Sequence, residues 1–222
     1  SVDEIKGITG IAHLFEHMAF KGSTSVGTTD HEAEREAMAK VDKIFQTLKK
    51  INRQGKTIDK KILQEIQKNF KLAQEKASKY LIHDEFEEAL ERAGSSGLNA
   101  STSRDATRYT VSLPSNKLEL WMSLESERFL NPVFREFYKE RNVVMEERRL
   151  RTESQPVGRL LEEFLAVAYK AHPYGEPVVG HMSDLETLTR DEAKTFFRKF
   201  YTPSNLTIAI VGDVSTSEVQ SL

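Results

Sequence analysis

From His31 to Arg92 the chain carries no proline and one glycine, Gly55, and it is dense in Lys and Glu. Only Arg53-Gln54-Gly55-Lys56-Thr57 reads as a break in that run. Val41, Ile44, Phe45, Leu48 and Ile51 recur at helical steps, and Ile62, Ile66, Phe70, Ala73 and Ala77 form a second stripe. The pattern predicts a helical hairpin: two long helices packed along a narrow apolar seam, with solvated charged outer faces. A hairpin over about 31–85 returns the chain to where it left. It therefore brings whatever precedes His31 back beside whatever follows residue 85.

What precedes it is His13-Leu14-Phe15-Glu16-His17, an H-x-x-E-H stretch. On a helix the two histidines stand at i and i+4, one turn apart on one face. That spacing lets two ring nitrogens grip one Zn²⁺ at about 2.0–2.1 Å each. Glu16 is offset around the helix, so it can reach water at the metal without being a ligand and can take its proton. Ile8, Ile11, Ala12, Phe15, Met18 and Ala19 form an apolar stripe roughly opposite the histidines. Thr9 is the expected N-cap and Gly22 the expected stop. Two histidines satisfied in a core, or exposed, remain the plain alternative for spacing alone.

A second chemical signal lies on an expected helix from Val133 to about Glu153. Val133, Phe137, Glu140, Val144 and Glu147 share one face, and two carboxylates on an apolar stripe are expensive to bury unless paired or metal-bound. Glu146 points toward Lys139, Asn142 and Glu153 instead. Glu147 is therefore the expected third ligand, although a helix with solvated glutamates fits the same residues.

The rest reads as an α+β chain. Residues 98–103 and 107–113 alternate as two strands around a turn at Arg104-Asp105. Pro114-Ser115 opens a helix whose Trp121 is expected in the core, and Asn131-Pro132 stops it. Pro156 precedes an apolar helix from Val157 to Tyr169. Ser183-x-x-Glu186 and Thr189-x-x-Glu192 read as capping boxes. Residues 205–213 read as a buried strand. His31, His83 and His181 read as structural or exposed, and Ala171-His172-Pro173-Tyr174-Gly175 as a turn.

Composition narrows the field. A net charge of −2 predicts no general attraction to nucleic acid. Without cysteine, a zinc site must use His and carboxylate. No apolar run approaches the roughly 18–20 residues of a membrane span.

Gly10 to Gly22 resembles the active-site helix of the M16 metallopeptidases, the pitrilysin, insulinase and mitochondrial processing peptidase family. Gly97-Leu98-Asn99-Ala100 through Tyr109 is similar to the family's edge-strand segment, and Glu140 to Glu147 is similar to its segment of two glutamates seven apart. The resemblance implies an antiparallel-leaning sheet packed against helices, Zn²⁺ on His13, His17 and Glu147, and Glu16 as the base. It implies that Glu140 orients a ligand histidine and that Asn99 and Ala100 hold a peptide substrate. It implies a second M16-type domain or subunit closing over the site, and it leans toward a bacterial periplasm or cell envelope. Ser1 does not read as a natural start. The expectation is therefore one M16-type domain over 1–222, lacking its first strands and C-terminal continuation.

The family's spacing between ligands is much shorter than the 129 residues between His17 and Glu147. The hairpin is read as an insertion absorbing the excess. Replacing 31–82 with a short loop would then leave the metal site intact. The resulting reading is a zinc endopeptidase of peptides or unfolded segments. Its rivals are a non-catalytic M16-like subunit and a partner-binding helical module.

Overall fold

The computed structural model describes residues 1–53 and 59–222. Apart from Arg53, the expected break at 53–57 lies outside the described residues. The hairpin helices on either side form as expected: α2 runs His31–Arg53 and α3 runs Lys60–Ala77. Asp59 caps α3 by accepting from the Lys61 amide. The root of the hairpin closes on itself. Thr28 and Leu81 form an antiparallel bridge, the Thr29 amide donates to Tyr80 at 2.8 Å, and the Ile82 amide donates to Gly27 at 3.1 Å. The helix before the hairpin, α1 (Ile11–Met18), is thereby returned to the chain after it, α4 (Glu85–Arg92).

The hairpin is more than a spacer. Val41, Phe45 and Leu48 of α2 are buried, and Val41 and Phe45 share one core with Ile11, Phe15, Phe137 and Val144. Phe70 and Ala73 of α3 pack against that core. Asp42 accepts from the Tyr138 hydroxyl and pairs with Arg190, while Lys49 pairs with Glu192. Excising 31–82 would remove part of the core along with the loop, so the expectation of a dispensable insertion is corrected.

The sheet is a single antiparallel hairpin among the described residues, β1 (Ser96–Thr102) with β2 (Thr107–Ser112). Asn99 pairs with Thr110 and Ala100 with Tyr109, after an irregularity between Ser96 and Asn99. Gly97, at φ +63°, supplies the backbone such a bulge favours. Helices cover the rest: α5 (Leu118–Leu130), α6 (Phe137–Arg148), α7 (Pro156–Ala168), α8 (Met182–Leu185), α9 (Arg190–Phe200) and α10 (Thr216–Ser221). The fold is α+β with helices dominant.

Several boundaries differ from the sequence reading. The helix expected over 133–153 begins at Phe137, after Glu136 in the left-handed region at φ +55°, and ends in a π-helical turn at Arg149–Glu153. Val133 and Phe134 still bury their side chains, but ahead of the helix. Trp121 is half-buried rather than central, because α5 turns Leu124 and Arg128 inward. The Thr189–Glu192 capping box forms, but Ser183 caps nothing because α8 begins one residue before it. The strand expected over 205–213 has no partner strand among the described residues, and Ile208 and Val211 are exposed. Alternating apolar residues specify a face, but a strand also needs a hydrogen-bonding neighbour. The helix α7 forms where expected, with Val157, Leu160 and Phe164 exposed.

Candidate metal centre

The helix α1 is held by long-range contacts that its own sequence does not advertise. Thr9 is not its N-cap. That position is Gly10, at φ +85°, and the free amides of the first turn are met by Glu4, whose carboxylate accepts from Gly10 at 3.0 Å and Ala12 at 2.8 Å. Thr9 instead donates its hydroxyl to Asp184 at 2.7 Å and accepts from the His181 amide. At the other end the helix stops at Met18, earlier than Gly22. Gly22 forms a turn where a Cβ would strike the Val26 carbonyl. A Cβ on Gly10 would lie 2.5 Å from the Val179 carbonyl oxygen. Gly10→Ala is therefore expected to cost more than about 1 kcal/mol, read from thermal or urea unfolding, since both φ and space oppose it.

On this helix Ile11, Ala12, Leu14, Phe15 and Met18 face the core, and His13 and His17 emerge together with ring centroids 5.0 Å apart. The helix α6 lies against them. His13 Nε2 is 3.0 Å from Glu147 Oε2, and His17 Nε2 is 3.6 Å from the same oxygen. Ligand atoms of His13, His17 and Glu147 all lie within 4.8 Å of one another. A tetrahedral ion with bonds of about 2.0–2.2 Å sets its ligand atoms roughly 3.3–3.6 Å apart. Two imidazoles and a carboxylate at these separations fit Zn²⁺ in both geometry and chemistry, and three protein ligands leave a fourth position open.

Glu146 is elsewhere. It pairs with Arg149 at 3.0 Å on the exposed side of α6. Glu147, on the face of α6 that carries Phe137, Glu140 and Val144, is the glutamate that meets the histidines. The second oxygen of Glu147 pairs with Arg151, four residues on. Burial pushes the Glu147 carboxyl upward, but the His13 bond and the charges of His13, Arg151 and His17 outweigh it and hold it below the usual carboxylate range.

Glu140 lies behind His17, its Oε2 3.6 Å from His17 Nδ1. Its other oxygen pairs with Lys21 at 2.9 Å. Burial would raise this carboxyl, but His17 and Lys21 hold it down at about 2. The same pairing with Glu140 raises His17 above its ordinary value, against its desolvation and with help from Glu147 and Glu16. Glu16 projects beside His13, with Oε2 3.6 Å from His13 Nδ1, and accepts a 2.5 Å hydrogen bond from the Thr102 hydroxyl. Thr102 sits on β1, two residues beyond Ala100. Ala100 is half-buried and Asn99 is exposed, and the strand reaches the site through Thr102.

His31, His172 and His181 take no part. His31 is near Glu34, His172 accepts from the Tyr174 amide, and His181 pairs with Glu176 at 2.7 Å. Two residues that shape the site had no signal of their own in the sequence: Glu4 and Lys21. Arg151 was readable only through its i, i+4 spacing from Glu147, and Thr102 only as part of the stretch that resembles the family's edge strand.

Comparison with known proteins settles the family. The model described as Insulinase (Peptidase family M16) matches residues 70–182, half of the chain. The chain belongs to peptidase family M16. The matched M16 span contains Glu140 and Glu147, and the His13–His17 helix lies ahead of it, across the hairpin. A second M16 model, the Peptidase M16 inactive domain, matches residues 187–222. The zinc protease PqqE of Helicobacter pylori is 38% identical over 149 residues, covering 66% of this chain and 33% of that protein. The probable mitochondrial-processing peptidase subunit beta of Arabidopsis thaliana is 28% identical over 135 residues, covering 60% of this chain and 25% of that protein. A crystal structure of a protease from Helicobacter pylori superposes with a TM-score of 0.69 at 28% identity, covering 99% of this chain and 40% of that one. The chain thus spans between a quarter and two-fifths of these M16 relatives.

Proposed function

We propose that the chain is the zinc-holding part of an M16 metalloendopeptidase that hydrolyses peptides or unfolded segments. The observation that carries this reading is the meeting of His13, His17 and Glu147 from elements 134 residues apart, with Glu16 beside them. His13 and His17 through Nε2, and Glu147, would hold the ion. Zinc so held supplies Lewis acidity toward a peptide carbonyl and makes water more acidic. Glu16 accepts the proton of the attacking water and passes it to the departing amine. Glu140 fixes His17, and Lys21 keeps Glu140 ionised.

On this reading an extended substrate adds to the outer edge of β1, where Asn99 and Ala100 present backbone donors and acceptors. A second M16-type domain or subunit would close over the strand. The names of the relatives support zinc and proteolysis. Residues 1–222 would form a single M16-type unit, with the hairpin at about 31–85 inserted between its ligands and built into its core. Among the described residues no helix is long and apolar enough to cross a membrane.

The test is metal analysis with peptide hydrolysis by the full-length protein. Close to one zinc per chain is expected. His13→Ala and Glu147→Gln should leave zinc well below that ratio, and Glu146→Gln should not. Glu140→Gln should weaken metal affinity roughly 10- to 100-fold, as loss of a supporting group does. Stoichiometric zinc without any peptide hydrolysis would favour the non-catalytic subunit. Undiminished zinc in both ligand variants would overturn the site itself.

A further inference from the structure

We propose that Thr102 is the positioning residue for Glu16, tying the base to the strand that receives substrate. This rests on the peptidase reading above. A glutamate one turn along a short helix has three rotatable bonds, and its place relative to the metal is not fixed by the backbone. The Thr102 hydroxyl donates to Glu16 Oε2 at 2.5 Å, in the short range of a bond to a charged acceptor. With Oε2 engaged by Thr102 and lying 3.6 Å from His13 Nδ1, Oε1 is the oxygen left to meet water. The Thr102 hydroxyl in turn lies 3.3 Å from that of Thr107, its partner across the β-hairpin, so it is held from behind.

Thr102 also shares β1 with Asn99 and Ala100 and points to the same face as Ala100. A substrate strand laid along β1 and the base that serves its scissile bond are thereby referred to one element. Any shift of β1 carries both. A serine or threonine hydroxyl can do this, and an apolar side chain of the same shape cannot.

The experiment uses the full-length zinc-loaded protein with Thr102→Val and Thr102→Ser. Thr102→Val should keep its zinc and lower kcat about 10- to 100-fold, the scale of a misplaced catalytic group, with KM changed less than about threefold. Thr102→Ser should restore most of kcat. A change confined to KM, loss of zinc in Thr102→Val, or equal loss in both variants would overturn the proposal. A second readout needs no turnover. In the metal-free protein, the shift in unfolding midpoint caused by Thr102→Val should be at least halved when Glu16→Ala is already present. Full additivity would overturn the Thr102–Glu16 coupling even if the enzyme proved inactive. Zinc-dependent hydrolysis that needs Glu16 but not Thr102 would leave the peptidase reading standing alone.

Discussion

Glu16→Gln in the full-length protein is expected to keep its zinc and lose at least the roughly 10²–10⁴-fold in peptide hydrolysis typical of general acid–base catalysis. The substitution keeps the length of the side chain and leaves an amide oxygen for Thr102 to donate to, but removes the oxygen that can take a proton. It leaves His13, His17 and Glu147 unchanged, and Glu147 contacts both histidines without help from Glu16. Zinc content and cleavage rate are to be measured on the same preparation. Loss of metal with loss of activity would make Glu16 a ligand. Retained metal with undiminished cleavage would remove it from the mechanism.

The parts of this site that could be read in the sequence are those set by helical period. His13 and His17 share a face because they are four apart, and Glu147 rather than Glu146 meets them because it continues the stripe of Phe137, Glu140 and Val144. The hairpin was legible for the same reason, and so was the return of its two ends. What could not be read depends on contacts between distant residues. Glu4 caps α1 from outside it, and Asp184 takes the Thr9 hydroxyl that local reading had assigned to the helix. Lys21 reads as an ordinary helix-end cation until α6 brings Glu140 to it. Periodicity also says which residues share a face but not what covers that face. The alternation in 205–213 and the stripe on α7 are both real, and both are exposed among the described residues. The depth of α2 in the core was missed because its few buried residues are diluted by charge, and Glu34 reads as one more solvated glutamate.

Glu34 is in fact buried, and its partner carries the largest expected effect on stability. Arg135→Met is expected to destabilise the protein by about 3–5 kcal/mol, the cost of breaking a buried ion pair by removing one partner. Arg135 is 1% exposed, as is Glu34. Its Nε and Nη2 grip the two Glu34 oxygens at 2.8 and 3.0 Å. Nη1 donates to the carbonyls of Lys21 and Val26, and Nη2 donates also to that of Ser23. All five donors of the guanidinium are used, a set that lysine's three rotatable donors cannot reproduce. Gly22 and Gly27 leave the room: a Cβ on either would come within 3.0 Å of Nη1. The arginine thus ties the entry to α6, the loop carrying Lys21 and the first turn of the hairpin into one piece. Removing it leaves Glu34 buried without its guanidinium partner and takes a donor from the Lys21, Ser23 and Val26 carbonyls, of which Val26 still accepts from the Ser23 amide. Removing both charged partners should cost less than removing one, because no buried charge is then left alone. Denaturant unfolding of the full-length protein as Arg135→Met, Glu34→Leu and the double variant checks both statements. An unfolding free energy for Arg135→Met within about 1 kcal/mol of the parent, or a double variant less stable than Arg135→Met, would show that the pair does not hold the hairpin to the entry of α6.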